Sequence, residues 1–184
     1  MIRVCGPRFK ARVGAKVIDT TSHSTDLGRS LSPFMLGPVG LYDGYVAVRF
    51  ENAWQYAKVY RKHADENGDP TQEYWAWAKA GWSNPRAVRY PMGKGAIPLY
   101  SYWDGRKLSY IDARKTIYVP LYTRLVTATG VLKELKEIET QHGELWLWDF
   151  DGYDHVALGI TLDDVLNCET RKMGHAFVLA MLLQ

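Results

Sequence analysis

Glu51, Gln55 and Lys58 follow one another at spacings of four and three residues, in a stretch whose apolar pattern reads as a helix. Side chains three and four residues apart on a helix are neighbours, so a carboxylate, an amide and an ammonium share one flank. A carboxylate in such a place can stabilise developing positive charge or activate a water. The Gln55 amide can donate to and accept from a hydroxyl, while Lys58, two turns on along the same face, can reach an oxygen or a phosphate. Glu51 falls in the first turn, where the helix dipole favours its ionised form by about 0.3–1 kcal/mol. The competing account of the same spacing is the solvated polar flank of an amphipathic helix.

Four further groups of residues have chemical potential. Met92-Gly93-Lys94-Gly95 offers backbone N–H groups and an ammonium to a phosphate, with Arg86 and Arg89 nearby to add charge; a plain turn is the alternative. It is not a P-loop, because the spacing and the Ser/Thr are missing. Trp103 is either a stacking platform or a core anchor. Asp149 and Asp151 fall on one side of an extended segment with Phe150 opposite, so either could hydrogen-bond a hydroxyl or exchange a proton. The histidines at 23, 63, 142 and 155 lack zinc-ligand spacing, His175 at a helix start reads as structural, and neither a metal nor a cofactor is expected.

The elements that must position these residues follow from periodicity and turn chemistry. A strand is expected over Val13–Thr20, and two short strands around Asp43-Gly44 between Val39 and Phe50. Phe50, Ala53, Trp54, Ala57 and Ala64 form the apolar stripe of a first helix. Asp69-Pro70 is expected to open a second helix, Thr71–Ala80, ending near Gly81. Trp82 to Arg106 reads as a long ordered loop, a kind of segment that often carries function. Ser109 caps a third helix, bent or stopped near Pro120. A fourth runs from Val131 to Gln141 and stops at Gly143. Leu145–Phe150 is a strand, Thr161 and Asp164 form the capping box of a short helix, and Met173–Gln184 is a last apolar helix. The expected class is α+β, one mostly helical domain of 184 residues with a small β-sheet or hairpin.

Bulk properties exclude several alternatives. The apolar share of 47% and charged share of 23% are ordinary for a globular chain, against disorder and coiled coil. The net charge of +3 is spread thinly, which disfavours strong duplex binding while leaving room for a local phosphate site. No apolar run reaches the ~18–20 residues of a membrane span, and Met1–Lys10, mixed in charge with Gly and Pro, does not read as a signal peptide. Two cysteines, Cys5 and Cys168, in no motif suit a reducing cytoplasm.

The order of these motifs resembles that of the NADAR family, over roughly residues 30 to 183. That family has a Ser-x-Phe element, an Asp-Gly, and a Glu seven residues after the Gly that opens a Glu-His-x-x-Gln-x-x-Lys helix. This chain has Ser32-Pro33-Phe34, Asp43-Gly44 and Glu51-Asn52-Ala53-Trp54-Gln55-Tyr56-Ala57-Lys58. Met92-Gly93-Lys94 with Trp103 is similar to the second family block, Trp148-Asp149-Phe150-Asp151-Gly152-Tyr153 to the third, and Met173-Gly174-His175-Ala176-Phe177 to the closing helix start. The chain departs from the pattern at Asn52, where the family has His, in the irregular third block, and in lacking the terminal Arg. It looks like a divergent branch, close to uncharacterised and often phage-associated proteins.

The resemblance implies hydrolysis of a ribosyl N-glycosidic bond in a nucleotide or ADP-ribose conjugate, ADP-ribosylated guanine among them. Such cleavage passes through an oxocarbenium-like state at C1′, which calls for a carboxylate beside that carbon. On that reading Glu51, Lys58 and Asp151 are catalytic. Ser32, Phe34, Trp54, Gln55, Lys94, Trp103, Asp149, Tyr153 and Gly174 then hold the substrate. The partner is a nucleotide or ADP-ribose-type small molecule, or an ADP-ribosylated nucleic acid, and no membrane is involved. Two other functions fit the same residues: a nucleotide- or ADP-ribose-binding protein that senses or sequesters without hydrolysis, and a transferase modifying nucleotides or DNA bases.

Overall fold

The computed structural model describes residues 1–10 and 14–184. In chain order the strands and helices are β1 (Ile2–Cys5), β2 (Lys16–Asp19), β3 (Val39–Gly40), β4 (Val46–Ala47), α1 (Phe50–Gln55), β5 (Lys58–Val59) and α2 (Gln72–Trp82). They continue with β6 (Tyr100–Trp103), β7 (Arg106–Leu108), α3 (Tyr110–Ala113), α4 (Val119–Ala128), α5 (Val131–His142), β8 (Leu145–Trp148), α6 (Leu162–Asn167) and α7 (His175–Leu183). The fold is α+β with helix predominant, as expected. The chain forms two compact units, residues 1–33 with 122–184 and residues 34–121.

The first unit is built on a three-stranded parallel sheet ordered β1-β8-β2. Ile2 and Lys16 both align with Leu145, and the register runs on to Cys5 and Asp19 opposite Trp148. The central strand Leu-Trp-Leu-Trp is buried at Leu145, Trp146 and Leu147, a continuous apolar run of the kind a parallel strand covered on both faces requires. Against it packs α7, apolar all round and buried from His175 to Ala180. Gly143, at φ 72°, ends α5 where expected. The Thr161–Asp164 capping box also forms as expected. The expected first strand begins at Val13, which lies outside the described residues; β2 occupies Lys16–Asp19 of that span.

The carboxyl ends of this sheet meet backbone to backbone. Asp149 N donates to Cys5 O at 3.0 Å, and Gly152 N donates to Asp149 O at 3.0 Å. A Cβ on Gly152 would sit 2.0 Å from Cys5 O, and one on Gly6 2.2 Å from Gly152 O. The Cys5 carbonyl cannot retreat without losing its bond from Asp149 N. Gly152→Ala is therefore expected to destabilise the protein by about 1–3 kcal/mol, read as a lower urea midpoint, whereas alanine at Gly159, which has open space around it, is expected to cost less.

In the second unit Asp43 and Gly44, at φ 50° and 74°, turn the β3–β4 hairpin, since only small or polar residues accept the left-handed region readily. A second Asp-Gly, at 104–105 with φ 48° and 76°, turns a β6–β7 hairpin inside the span expected to be loop. The N-cap of α2 is Thr71, whose hydroxyl accepts from Tyr74 N at 3.4 Å, and not Asp69; Pro70 lies in an isolated bridge with Ala64. Pro120 does not end the third helix. It lacks an N–H and its ring excludes the carbonyl four residues back, and a π turn at Arg114–Tyr118 precedes it before α4 continues to Ala128.

The first helix is shorter than its apolar stripe suggests. It stops at Gln55 because tertiary partners take the carbonyls that would carry it on. Tyr74 Oη donates to Tyr56 O and Ala57 O at 3.2 and 3.4 Å, and Tyr102 N donates to Ala57 O at 2.7 Å. Lys58 accordingly sits in β5, opposite Ser101 of β6, and not two turns along a helical face.

Candidate functional site

The second unit joins Glu51, Trp54, Gln55 and Lys58. Gln55 Nε2 donates to Glu51 Oε1 at 2.8 Å, and Lys58 Nζ donates to Gln55 Oε1 at 2.6 Å. The ammonium also lies 4.9 Å from the centre of the Trp54 ring, a cation–π distance. Glu51 is 6% exposed and Gln55 8%. A solvated helix flank would leave these groups in water, so that account fails here. A buried carboxylate is costly unless hydrogen-bonded and charge-compensated, and the relay through Gln55 to Lys58 supplies part of both. Burial pushes the Lys58 ammonium down to about 8, with the Glu51 charge opposing the shift.

The strand ending that displaced Lys58 from the helix is what brings its ammonium back over Trp54. Rings from α3 and the π turn after it complete the cluster: Tyr118 and Tyr110 lie 5.1 and 6.4 Å from Trp54 by ring centres. Arg114, on the π turn, is 2% exposed; its Nη2 donates to Tyr110 Oη at 3.0 Å and its guanidinium stacks 4.2 Å from that ring. The sequence reading missed Arg114 and Tyr110. The available signal was Pro120 following a capped helix, since π turns absorb such irregularities and often occur at functional sites.

Asn52, buried completely, faces away from this relay. Its Nδ2 donates to Asn84 O and Arg86 O at 3.0 and 2.9 Å, and its Oδ1 accepts from Val88 N at 2.8 Å. Lys94 is exposed between Gly93 and Gly95, at φ 91° and 90°. Trp103, which the sequence left as a stacking platform or a core anchor, packs 5.0 Å from Tyr42 in a separate ring cluster with Trp82, Tyr45 and Tyr102. Phe34 is half-buried at the start of this unit.

The remaining candidates belong to the first unit. Ser32 is 1% exposed and follows the 3-10 turn Leu27–Leu31. Asp149 and Asp151 lie beyond the end of β8, where the chain turns instead of staying extended; Asp149 is buried, Asp151 half-buried and Phe150 exposed. Asp149 Oδ2 is 2.9 Å from His175 Nδ1 and accepts from Ala176 N at 3.3 Å, while Oδ1 accepts from Asp151 N at 3.1 Å. Burial raises the Asp149 carboxyl, but His175 and these donors outweigh it and hold it at about 2. A Cβ on Gly174 would lie 2.1 Å from Asp149 Oδ2, so Gly174 admits the carboxylate to the start of α7. Tyr153 packs 4.6 Å from Phe177, and Asp151 pairs with Lys172 at 3.6 Å.

An open groove of about 410 Å³ near the ends of β2 and β8 is lined by Asp19, His23, Asp26 and Trp148 among others, none of them expected site residues. Its carboxylates serve local turns, Asp19 accepting from Thr21 N and Asp26 from Gly28 N. Burial lifts the Cys5 thiol to about 12, which keeps it un-ionised and unsuited to nucleophilic attack. No cluster of three or more His, Cys, Asp or Glu suited to a metal occurs among the described residues, and no helix among them is long and apolar enough to cross a membrane.

No curated protein and no solved structure matches the chain. Residues 8–157 match the model of a family of unknown function, DUF6939, and the chain belongs to that family.

Proposed function

We propose that this protein hydrolyses a ribosyl N-glycosidic bond in a nucleotide or ADP-ribose conjugate, with Glu51 as the carboxylate beside C1′. The observation that carries the reading is the buried Glu51–Gln55 pair joined to the half-buried Lys58, whose ammonium lies over the Trp54 ring. An ionised carboxylate in a water-poor site stabilises an oxocarbenium-like state more strongly than it would in water. Gln55 orients it, and Lys58 supplies positive charge for a substrate oxyanion. The Ser-x-Phe, Asp-Gly and Glu-x-x-x-Gln-x-x-Lys order shared with NADAR proteins supports the same chemistry. Incubation with a panel of nucleotide ribosides and with DNA bearing ADP-ribosylated guanine, followed by chromatography for free base or ADP-ribose, tests it. Release of neither sinks the hydrolase.

A second reading, binding without turnover, draws on Asn52. Every polar atom of its side chain is engaged by backbone, so the residue that replaces the family His does not act on a substrate. Saturable binding of ADP-ribose with no product over long incubation is its signature.

Lys58 gives either reading a pH dependence. Its ammonium loses its proton as pH rises through about 8, so binding of an anionic ligand is expected to weaken across that pH. In Lys58→Arg, whose guanidinium stays charged, the step near pH 8 should vanish. Titration calorimetry from pH 6.5 to 9.5 checks it, and an unchanged step in the variant rules Lys58 out as its source.

A further inference from the structure

The aromatic rings around the Glu51–Gln55–Lys58 cluster differ in exposure. Phe50, Trp54 and Tyr118 are buried, none of them more than 8% exposed. Tyr110, whose ring centre lies 6.4 Å from that of Trp54 with the planes tilted by 40°, is 43% exposed. Lys58, half-buried, meets the same Trp54 ring at 4.9 Å. Of these residues, Tyr110 and Lys58 are the two open to solvent, and both are neighbours of one ring. Trp103 offers no alternative platform here, since it packs against Tyr42 at 5.0 Å in a separate ring cluster.

An exposed tyrosine is ordinarily free to swing, but this one is fixed. Tyr110 opens α3, whose first turn is capped by the Ser109 hydroxyl accepting from Asp112 N at 3.1 Å. One turn on, Arg114 is the first residue of the π turn and is 2% exposed. Its Nη2 donates to Tyr110 Oη at 3.0 Å, and its guanidinium carbon lies 4.2 Å from the ring centre. The guanidinium covers one face of the ring, so the accessible surface belongs to the other face and the edges. A ring held in place before a ligand arrives loses little side-chain freedom on binding. The cation also offsets the negative charge of the π face, which lowers the repulsion towards a second electron-rich ring laid upon it.

We infer that Tyr110 is the stacking residue for the leaving base at the Glu51 site, and that the base is a purine. A fused bicycle covers more of a tyrosine face than a single pyrimidine ring does, and so removes more apolar area from water. The inference rests on the Glu51 reading for what the base is released from, but base recognition is measured by binding, separately from turnover.

The experiment is titration calorimetry of the whole chain with GMP, UMP and ribose 5-phosphate, which share a phosphoribosyl group and differ in the base. The wild type should bind GMP about tenfold or more tighter than ribose 5-phosphate, with UMP between them, as stacking of one base on one ring provides. Tyr110→Ala should weaken GMP by about tenfold or more, to the level of ribose 5-phosphate, whose own affinity should not change. Tyr110→Phe keeps the ring and should hold GMP within about threefold of the wild type. Melting curves matching the wild type establish that the variants are folded. If Tyr110→Ala melts early, Tyr110→Leu, which keeps apolar bulk over the guanidinium but has no π face, is measured in its place. The inference is overturned if the wild type binds GMP no better than ribose 5-phosphate, or if the variant lacking the ring keeps wild-type GMP affinity. It is also overturned if Tyr110→Phe loses as much as Tyr110→Ala, since the hydroxyl and not the ring face would then be the contact. UMP binding as tightly as GMP overturns the purine assignment. Tyr110-dependent GMP binding without release of guanine sinks only the hydrolase; release of guanine with the same kcat/KM in Tyr110→Ala sinks only the stacking residue.

Discussion

Glu51→Gln is expected to lower base release by about a hundredfold or more, the usual contribution of a positioned acid–base or charge-stabilising group, while ADP-ribose affinity changes only a few-fold. The substitution preserves shape. The new amide oxygen can still accept from Gln55 Nε2, now 2.8 Å from Glu51 Oε1, so the Gln55–Lys58 contact at 2.6 Å need not break. What is lost is the negative charge that faces the developing cation. Two measurements separate this from mere damage: a melting curve matching the wild type, and calorimetric binding of ADP-ribose. A Gln variant that turns over at wild-type rate removes Glu51 from the chemistry and leaves the relay as a packing device. One that neither binds nor melts cooperatively makes Glu51 structural.

The second large effect concerns stability. Asp149→Ala is expected to cost about 3–5 kcal/mol in urea-induced unfolding, the range for removing one partner of a buried charged pair. His175 Nδ1 faces Asp149 Oδ2 at 2.9 Å, and Nε2 faces the Thr20 carbonyl at 2.8 Å. Both partners are acceptors, so both ring nitrogens carry hydrogen and the ring is an imidazolium. Removing the carboxylate strands that cation at 6% exposure and leaves Asp151 N and Ala176 N without their acceptor. Asp149→Asn, which keeps an oxygen for one of these donors, should cost less.

The pH dependence follows from the same pair. The folded-state pKa of Asp149, about 2, lies below the ordinary carboxylate value of ~3.9. The stability it contributes is therefore complete above about pH 4 and is lost as pH falls towards 2. Acid unfolding should be steeper in the wild type than in Asp149→Asn over that window. Equal slopes would mean that the pair is not ionised in the native protein.

Legibility in the sequence divided along a physical line. Gly143, Thr161 with Asp164, Ser109 and Asp43-Gly44 each act within a few residues of themselves, through a cap or a left-handed turn, and all four were readable. Asp104-Gly105 carried the same signal as Asp43-Gly44 and was overlooked inside a segment rich in Gly and Pro, which hid the β6–β7 hairpin. Strand β1 was invisible for another reason. Ile2 and Val4 alternate with Arg3 over only four residues, too few for periodicity to register, and the strand exists because β8 offers it a partner. Among the candidate residues, Glu51, Gln55 and Lys58 were found from spacing. Their connection was assigned to the wrong geometry, since Lys58 reaches Gln55 from a strand.

By itself the sequence determined the caps and turns at Gly143, Thr161, Ser109 and Asp43-Gly44, which residue types could do chemistry, and that the class is α+β. Those properties depend on side-chain and backbone preferences between near neighbours. Tertiary structure decided where α1 ends, because Tyr74 and the β6 backbone take the carbonyls of Tyr56 and Ala57 just beyond it. It decided that the polar flank of that helix is buried, that Asn52 holds a distant loop, and that Asp149 closes on His175. Each of these is a contact between residues far apart in the chain, and its energy comes from desolvation and partner geometry that no local pattern encodes.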